Sequence, residues 1–522
     1  MVQYVMTRRS ELTWALCLCL LAFAHRLMFL LSNSDVDWPF SIFYEGDGEA
    51  YFHFARAIIA GQPYQDGLPF HPPGFAYFLA GVHQLFGAGE PNDTINHFAV
   101  RTLITAVSSL SIGLIFLLVR PYLGLLPAII TALLCTWHFG LYVVAISPVT
   151  EGLYLTMYLL AWLWFSRSLQ HLLTAPVSSV RRQHWHAMGL GSLCGLLALT
   201  RAEALLLPFI FVGLLLAGRF FGKQQGMQTV ICSVALALAF CLTLLPWTLH
   251  NRTALQQLNA QLDGQVAESL PELAPVTVYG PLNLALANNA GADGTFSRDL
   301  MSSQRLTGNL ELTDPQHLKF VLHGDAMAID WIGSHPTDFL VLIGKKWELT
   351  SRALTLGWTQ WNWPGGLNGV RQPVDVFTPD LTVNRIALLV LFGLGAIACW
   401  RNGPAGRQWL GLVMAASLIG VVSTTLFFGY VRQGLLLLPL WFSLVGAVLS
   451  ATIQPRNWYN GYLKQRTIAI LSILVVAMFS LEFTGIDDQR NYRASGTNVV
   501  GSNRLNRDQP MRLEVLAEPP SE

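Results

Sequence analysis

The feature that most limits how this chain can fold is a series of apolar runs, each close to twenty residues long. A run of that length can cross the hydrocarbon core of a bilayer as a helix. Only 12% of the 522 residues are charged, whereas soluble proteins carry roughly 25%. The runs are continuously apolar, whereas the strands of a membrane β-barrel would alternate polar and apolar residues. The sequence therefore predicts an all-α polytopic membrane protein.

About eleven stretches are predicted to span the membrane. By residue number they are 12–31, 97–119, 125–145, 150–167, 187–201, 203–218, 229–247, 384–400, 408–428, 433–451 and 467–484. The basic residues of the short connections then fall on one side, which is typical of the cytoplasm. The N-terminus, with Arg8 and Arg9, is expected inside and the C-terminus outside. No small-residue cleavage site follows the first stretch, so we expect it to stay as a signal anchor.

This topology divides the chain into four parts. Residues 1–247 form an N-terminal transmembrane module that includes a first outer loop, residues 32–96. Residues 248–383 form a larger outer region, 384–484 the C-terminal transmembrane helices, and 485–522 a polar outer tail.

Two segments of the first outer loop are too short or too polar to span the membrane. Residues 49–60 place Glu49, His53 and Arg56 on one helical face, with apolar residues over much of the rest. This pattern is typical of a helix that lies in the membrane interface. The second segment, residues 72–87, opens with prolines that favour a helix start and is rich in aromatic residues.

The larger outer region contains two further segments of interest. Residues 279–297 are dense in Gly and Asn, which predicts irregular structure. The stretch from Pro336 is predicted to be another interfacial helix, because tryptophans follow its apolar residues. In it we interpret Lys345 and Lys346 as interface anchors rather than ligands.

Ionisable residues at the outer ends of the predicted spans are the main functional candidates, since charge there is costly unless it faces a cavity or a partner. The predicted topology puts five such sites on the outer face: Asp47 with its neighbours, His71, Glu151, Arg201 with Glu203, and Arg432. A pocket formed by them would combine carboxylates, which accept protons, with cations, which hold phosphate.

The same residues also have structural interpretations. Asp47 and Glu151 could cap helix N-termini. Arg201 and Glu203 could form a local ion pair at a turn between helices. Arg432 could be an interface anchor that extends to water.

The order of short motifs resembles a known family. An acid in the first outer loop is followed by a helix ending in G-x-x-Y, then by P-P before an aromatic segment that ends in L-F-G. Arg101 then begins the second span, an acid opens the fourth, L-T-R precedes the sixth, and P-W-x-x-x-N closes the seventh. This order, strongest over residues 43–260, resembles the GT-C superfamily of polyprenyl-phosphate-sugar glycosyltransferases. The similar branch contains the lipid A aminoarabinose transferases, the protein O-mannosyltransferases and the bacterial Rgt-like transferases.

The resemblance implies that a sugar moves, with inversion, from a polyprenyl phosphate to an acceptor on the outer face. In such enzymes the first-loop acid is the catalytic carboxylate, which falls here on Asp47, and a second acid falls on Glu151. The cation of L-T-R is Arg201, expected near the donor phosphate together with Glu203. No cofactor is implied, because Arg201 can supply the positive charge, although a divalent cation would be compatible with the acids.

Other candidate residues correspond less directly to the family. His71 stands where the family has a basic residue, often Lys, so it could bind phosphate when protonated or be an ordinary loop histidine. Tyr430 and Arg432 match a late Tyr-x-Arg segment, and residues 279–297 resemble a loop that closes over the site in relatives. Further candidates for contacts with the acceptor or with this loop are Glu49, Tyr51 and Asn288.

The expected partners are the lipid-linked donor, a lipid, glycan or protein acceptor, and the bilayer of an inner membrane. The net charge of +1 gives no reason to expect nucleic acid. The alternatives are a transporter or flippase, or a polymerase or ligase, of lipid-linked glycans. Transporters usually place charges near the membrane midplane and show internal repeats, so the one-sided charges favour the transferase. The sequence names neither the sugar nor the acceptor.

Overall fold

The computed structural model of the chain describes residues 8–32, 47–86, 97–174, 180–221, 226–296, 300–301, 310–355 and 382–453. Its α-helices are α1 Arg8–Ser32, α2 Asp47–Ile59, α3 Gly74–Phe86, α4 His97–Leu123, α5 Leu125–Trp137, α6 Phe139–Ile146, α7 Thr150–Thr174, α8 Val180–Thr200, α9 Leu207–Phe221, α10 Gly226–Leu262, α11 Gly280–Ala287, α12 Pro315–Ser334, α13 Pro336–Ser351, α14 Thr382–Arg401, α15 Gly403–Leu426 and α16 Val431–Ile453. The described ranges contain no β-strand.

Among the described residues, six helices are long and apolar enough to cross a membrane: α1, α4, α10, α14, α15 and α16. Together, α5 and α6 would make a seventh span, bent by 70°. The prediction of a polytopic helical membrane protein is therefore confirmed. The predicted number of eleven spans stays a prediction, because α7 and α8 do not meet the same criterion and residues 467–484 lie outside the described ranges.

The predicted end of the seventh span differs from the structure at α10. The sequence predicts a span that ends at residue 247, but the helix continues to Leu262. Its polar continuation is held by packing: Leu255 is fully buried, and Asn251 Nδ2 donates to the carbonyl oxygens of Ala274 and Val276 at 2.8 and 3.0 Å. Hydropathy marks where a helix leaves the membrane, not where it ends.

A second difference is the break inside residues 125–145, which were predicted as one span. His138 separates α5 from α6 in an extended backbone conformation, with φ −67° and ψ 117°. Its ring nitrogen Nε2 lies 3.3 Å from the carbonyl oxygen of Leu354, in a segment far along the chain. Apolar residues flank the break on both sides, so the sequence pattern gives no sign of it.

An apolar cluster outside the spanning helices joins the end of α10 to the segments that follow. Its buried members include Leu255, Leu270, Leu282, Phe296, Phe320, Val321 and Phe428. The prediction that residues 279–297 are irregular is wrong over Gly280–Ala287, which form α11 with Pro281 in its first turn and Leu282 and Leu286 turned inward.

The two short helices of the first outer loop form as predicted, over Asp47–Ile59 and Gly74–Phe86. In α2, Tyr51 and Ala55 are buried while His53 and Arg56 are exposed. These two members of the predicted polar stripe therefore face away from the protein. Nothing is described for the side chains of residues 41–49 or for the predicted tail, so the four-part division of the chain stays a prediction.

Candidate functional site

Four charged side chains meet at one end of the helical bundle. Glu151 lies in the first turn of α7, Arg201 follows α8, Glu203 lies in the 3-10 turn Ala202–Leu206, and Arg432 begins α16. Arg201 Nη1 lies 2.6 Å from Glu151 Oε1, and Arg201 Nε lies 3.0 Å from Glu203 Oε1. Arg432 Nε is 3.6 Å from the same oxygen of Glu151. We call these four residues the charged cluster.

The local chain geometry explains how Arg201 reaches both acids. Arg201 leaves the helix with an extended backbone, φ −147° and ψ 121°, and a 3-10 turn follows at once. This brings Glu203 back beside the guanidinium, while Thr150 Oγ1 accepts from Arg201 Nη1 at 3.2 Å and donates to Glu151 Oε2 at 3.4 Å. The ring of Tyr154 lies under the guanidinium carbon at 5.6 Å from its centroid.

The members of the charged cluster differ in how deeply their side chains are buried. The side chain of Glu151 is 1% exposed, whereas those of Arg201 and Arg432 are 16% and 14% exposed. Charges this buried are stable only when paired, and Glu151 lies in the first turn of a helix, where a negative charge is favoured. The local ion pair that the sequence suggested between Arg201 and Glu203 is present. Arg432, however, turns toward Glu151 rather than out to water.

The end of α15 extends the charged cluster with uncharged polar groups. Ser423 Oγ donates to Glu203 Oε2 at 3.4 Å and accepts from Gln433 Nε2 at 3.2 Å. Thr424 Oγ1 in turn donates to Gln433 Oε1 at 3.3 Å. The sequence analysis missed these residues, although a glutamine near the start of an apolar helix and adjacent hydroxyls at the end of another are visible signals.

His71 belongs to a group of aromatic rings. Its ring centroid lies between 5.3 and 6.0 Å from the centroids of Tyr51, Phe54, Phe70 and Tyr279. The backbone around His71 is fixed by Gln65 Oε1, which accepts from the N–H groups of Phe70 and His71 at 2.8 Å each.

The segment that follows His71 packs directly against the segment that ends in Arg201. A Cβ added to Gly74, at the start of α3, would lie 2.8 Å from the carbonyl oxygen of Leu199 and 2.9 Å from Thr200 Oγ1. Only glycine permits this close approach. The structure thus brings the H-P-P-G and L-T-R motifs together.

A third polar group joins α13 and the residue that follows α11 to the end of α15. Lys346 in α13 is fully buried, and its Nζ donates to Asn288 Oδ1 at 2.8 Å and to the carbonyl oxygen of Thr425 at 3.3 Å. Asn288 Nδ2 donates to the carbonyl oxygen of Leu426 at 2.7 Å. We call these contacts the lysine clamp. The interpretation of Lys346 as an interface anchor is wrong, whereas Lys345 is exposed.

Burial lowers the pKa of Lys346 to about 7, because the charged amine loses its hydration. The turn next to the clamp is close-packed: the N–H of Gly429 donates to the carbonyl oxygen of Gly294 at 2.8 Å. Tyr430 follows in this turn, with its ring centroid 5.6 Å from that of Phe428. The turn then leads to Arg432, so the clamp and the charged cluster share one segment.

The structure describes fewer contacts for the other candidate residues of the first loop, Asp47, Glu49 and Tyr51. Helix α2 begins at Asp47, but the side chains of Asp47 and Glu49 lie outside the described ones, so their roles stay predictions. Tyr51 is buried, with its ring centroid 5.1 Å from that of Phe75. Within the described part of the chain, no group of three or more His, Cys, Asp or Glu side chains could hold a metal ion.

Residues 70–247 match the family model of the dolichyl-phosphate-mannose-protein mannosyltransferases, which is a GT-C family. Over this segment the match supports the resemblance to the GT-C superfamily. Four of the candidate residues lie inside the matched segment: His71, Glu151, Arg201 and Glu203. No curated protein matches the chain significantly in sequence.

Two solved structures are among those similar to this chain. The Archaeoglobus fulgidus oligosaccharyltransferase, tethered with an acceptor peptide, is 14% identical with a TM-score of 0.48, over 92% of this chain and 55% of that one. ArnT from Cupriavidus metallidurans, bound to undecaprenyl phosphate, is 14% identical with a TM-score of 0.30, over 86% of this chain and 80% of that one. The present chain thus spans little more than half the length of the oligosaccharyltransferase.

Proposed function

We propose that this protein transfers a sugar, with inversion, from a polyprenyl-phosphate donor to an acceptor on the outer face of a bacterial inner membrane. The observation that carries the proposal is the charged cluster, in which a buried carboxylate holds two partly exposed guanidinium groups at one end of the bundle. The family match supports the donor class, because the matched family is described by a sugar carried on a lipid phosphate.

The two arginines of the charged cluster are proposed to bind the donor phosphate. A guanidinium carries five N–H donors in a planar fork that suits phosphate oxygens. Arg201 and Arg432 converge on one carboxylate oxygen, so Glu151 fixes their separation before the donor arrives. As the bond between the sugar and the phosphate breaks, negative charge grows on the phosphate, and preorganised cations stabilise that charge.

Asp47 is proposed as the general base. The acceptor hydroxyl oxygen forms a bond to the anomeric carbon, the bond from that carbon to the phosphate oxygen breaks, and the phosphate leaves with the electron pair. The hydroxyl proton passes to the Asp47 carboxylate. One displacement inverts the anomeric centre. Arginine charge suffices for this chemistry, and a divalent cation is not required by it.

The aromatic group around His71 is proposed to lie beside the donor or the acceptor. His71 packs on Tyr51 and Tyr279 and is three residues from Gly74, which touches the segment before Arg201. A protonated His71 would add a cation to the phosphate site. Asn288, Tyr430, Glu49 and Glu203 stay candidates for loop or substrate contacts.

The deciding experiment is Asp47→Asn in membranes supplied with labelled polyprenyl-phosphate sugars. Asn keeps the size of the side chain and caps helices about as well as Asp, but it cannot accept the proton. We expect transfer to fall by roughly 10² to 10⁴-fold. The matched control is Asp263→Asn, at an exposed aspartate after α10, which should keep full transfer. Retained transfer in Asp47→Asn would remove Asp47 from the role of base.

A separate assay distinguishes the transporter alternative. The purified protein, placed in liposomes with the labelled donor, should release the polyprenyl phosphate only when an acceptor is present. Movement of the intact donor between leaflets, with its sugar–phosphate bond unbroken, would favour a flippase instead.

A further inference from the structure

Arg26 is a buried cation that no carboxylate contacts within the part of the chain that the structure describes. It lies in the candidate membrane span of α1 and is 2% exposed. Its Nη1 donates to Ser109 Oγ at 3.2 Å, while its Nε is buried and has no hydrogen-bond partner. Its ionisable neighbours are His25 and the thiols of Cys19 and Cys135, and the contacts of its guanidinium within the described residues include no carboxylate.

A small cavity lies against this guanidinium. Arg26, Ser108, Cys135 and Gly152 line it from four different helices, and its volume of about 10 Å³ admits one particle of about the size of water. Ser108 Oγ is also buried without a partner. A Cβ at Gly152 would lie 2.5 Å from that hydroxyl, so the glycine keeps the space open.

Whatever occupies this cavity has to balance the positive charge of Arg26 and also form hydrogen bonds with the buried polar atoms. A buried polar atom without a partner in a native protein usually marks an ordered water or ion, and an unpaired buried charge is strongly destabilising. A water molecule could accept from Arg26 but would leave the charge uncompensated. Cations are excluded by the guanidinium, and phosphate or sulfate would not fit in the available volume.

We propose that this cavity binds a small monovalent anion of the size of chloride, held by the guanidinium of Arg26 and the hydroxyl of Ser108. The remaining wall is largely apolar, with Ile112, Ile115 and Leu155 among its residues. Such surroundings strengthen the attraction between the ion and the guanidinium. The site is separate from the charged cluster and does not depend on the transferase activity.

The first test measures thermal unfolding of the full chain in detergent at constant ionic strength. Sodium chloride replaces sodium gluconate, whose anion is too large for the cavity. We expect the unfolding midpoint to rise with chloride and then level off, because a ligand that binds only the folded state stabilises it in proportion to occupancy. An equal midpoint in both salts at every concentration would overturn the proposal.

Variants test whether the effect arises at this cavity. Arg26→Met keeps much of the side-chain volume without the charge and should abolish the chloride response. Ser108→Ala should weaken chloride binding, so that the half-saturating chloride concentration rises by about tenfold or more. Arg252→Met, at an exposed arginine of α10, is the matched control and should respond as the unmodified protein does. An undiminished response in Arg26→Met and Ser108→Ala would show that chloride acts elsewhere.

A direct measurement keeps the proposal testable even if Arg26→Met fails to fold. Bromide replaces chloride during structure determination of the unmodified protein, and its anomalous signal locates it. A peak in contact with the guanidinium of Arg26 is expected. Density without anomalous signal at that position, under saturating bromide, would mean that the cavity holds water and would overturn the proposal.

Discussion

At the scale of single residues, Glu151 determines how the two arginines of the charged cluster are held. Its carboxylate is almost fully buried and one of its oxygens contacts both guanidinium groups. Arg201 has a second partner in Glu203, which is only two residues away. Arg432 has Glu151 as its ion-pair partner among the described acids. Loss of the Glu151 charge should therefore remove a contact that both arginines share.

The first prediction concerns Glu151→Gln, which removes the charge and keeps the shape. Removing one partner from a buried ion pair leaves an uncompensated charge, so we expect a loss of about 3 kcal/mol in the free energy of unfolding. Transfer should fall as well, because the arginines lose their fixed spacing. Chemical unfolding in detergent measures the first effect. Glu268→Gln, in an exposed pair with His323, is the control and should change little. Equal stability of the two variants would contradict this account.

At the scale of elements, close helix packing and the lysine clamp connect the parts of the molecule. Gly191 and Gly195 lie one turn apart on α8 and face α10, where added Cβ atoms would meet the backbone of Leu236 and the side chain of Thr243. Small residues at this spacing let membrane helices approach closely. The clamp acts between outer segments and α15 through Lys346, whose amine reaches both Asn288 and Thr425.

The second prediction compares Gly191→Ala with Gly213→Ala. Alanine in a helix is ordinarily favoured over glycine by up to about 1 kcal/mol. At Gly191 the added methyl group would collide with the carbonyl of Leu236, so we expect destabilisation by roughly 1 to 3 kcal/mol. Gly213, in α9, has open space around it and should show no loss. The midpoint of thermal unfolding measures both, and equal midpoints would show that α8 and α10 are not tightly packed.

The third prediction is a dependence of stability on pH that arises from Lys346. Its pKa is lowered to about 7 in the folded protein, whereas an unfolded lysine keeps a pKa near 10.4. Between these values the unfolded state binds more protons, so stability should rise with pH, by at most about 1.4 kcal/mol per pH unit. Below pH 7 both states are protonated and this contribution is constant.

The measurement is unfolding between pH 6 and pH 9 for the unmodified protein and for Lys346→Met. The variant should lose the rise above pH 7. Lys345→Met replaces the neighbouring exposed lysine and should keep the rise. If all three proteins show the same slope, the titrating group is not Lys346.

At the scale of the whole molecule, the sequence predicted what apolar length and helical periodicity determine. The helical membrane class follows from the runs, and the polar face of α2, with His53 and Arg56, follows from their spacing. Contacts between distant segments could not be predicted in the same way. The pairing of Arg432 with Glu151 depends on the packing of α16 against α7, and the break at His138 on a carbonyl group of Leu354.

The burial of Lys346 is another result of contacts between distant segments that the local sequence could not predict. A Lys-Lys pair beside tryptophan reads as an interface anchor, because nothing in the local sequence distinguishes its two members. One is exposed and the other fully buried only because Asn288 and the end of α15 are there to receive it. The proposed role of Asp47 as a base rests on the sequence alone, because its side chain lies outside the described ones.

The fourth prediction concerns the orientation of the molecule in the membrane. A reporter fused after Asn92, in the first outer loop, should be found outside the cytoplasm. A reporter at Asn402, in the turn between α14 and α15, should be found inside, because Arg401 and Arg407 flank that turn. A cytoplasmic signal after Asn92 would reverse the orientation, and signals on one side from both fusions would contradict the number of crossings between them.

The length of α10 has a consequence for the substrates. Its 37 residues make a rod of about 55 Å, while the hydrocarbon core is about 30 Å thick. Because Leu255 and Leu262 near its far end pack into the apolar cluster, the rod fixes the distance of that cluster from the start of the helix. If the protein acts as proposed, a donor anchored by its lipid tail would meet a gap of set depth. The acceptor would then have to present its hydroxyl group at that depth, so the length of α10 would select acceptors by reach.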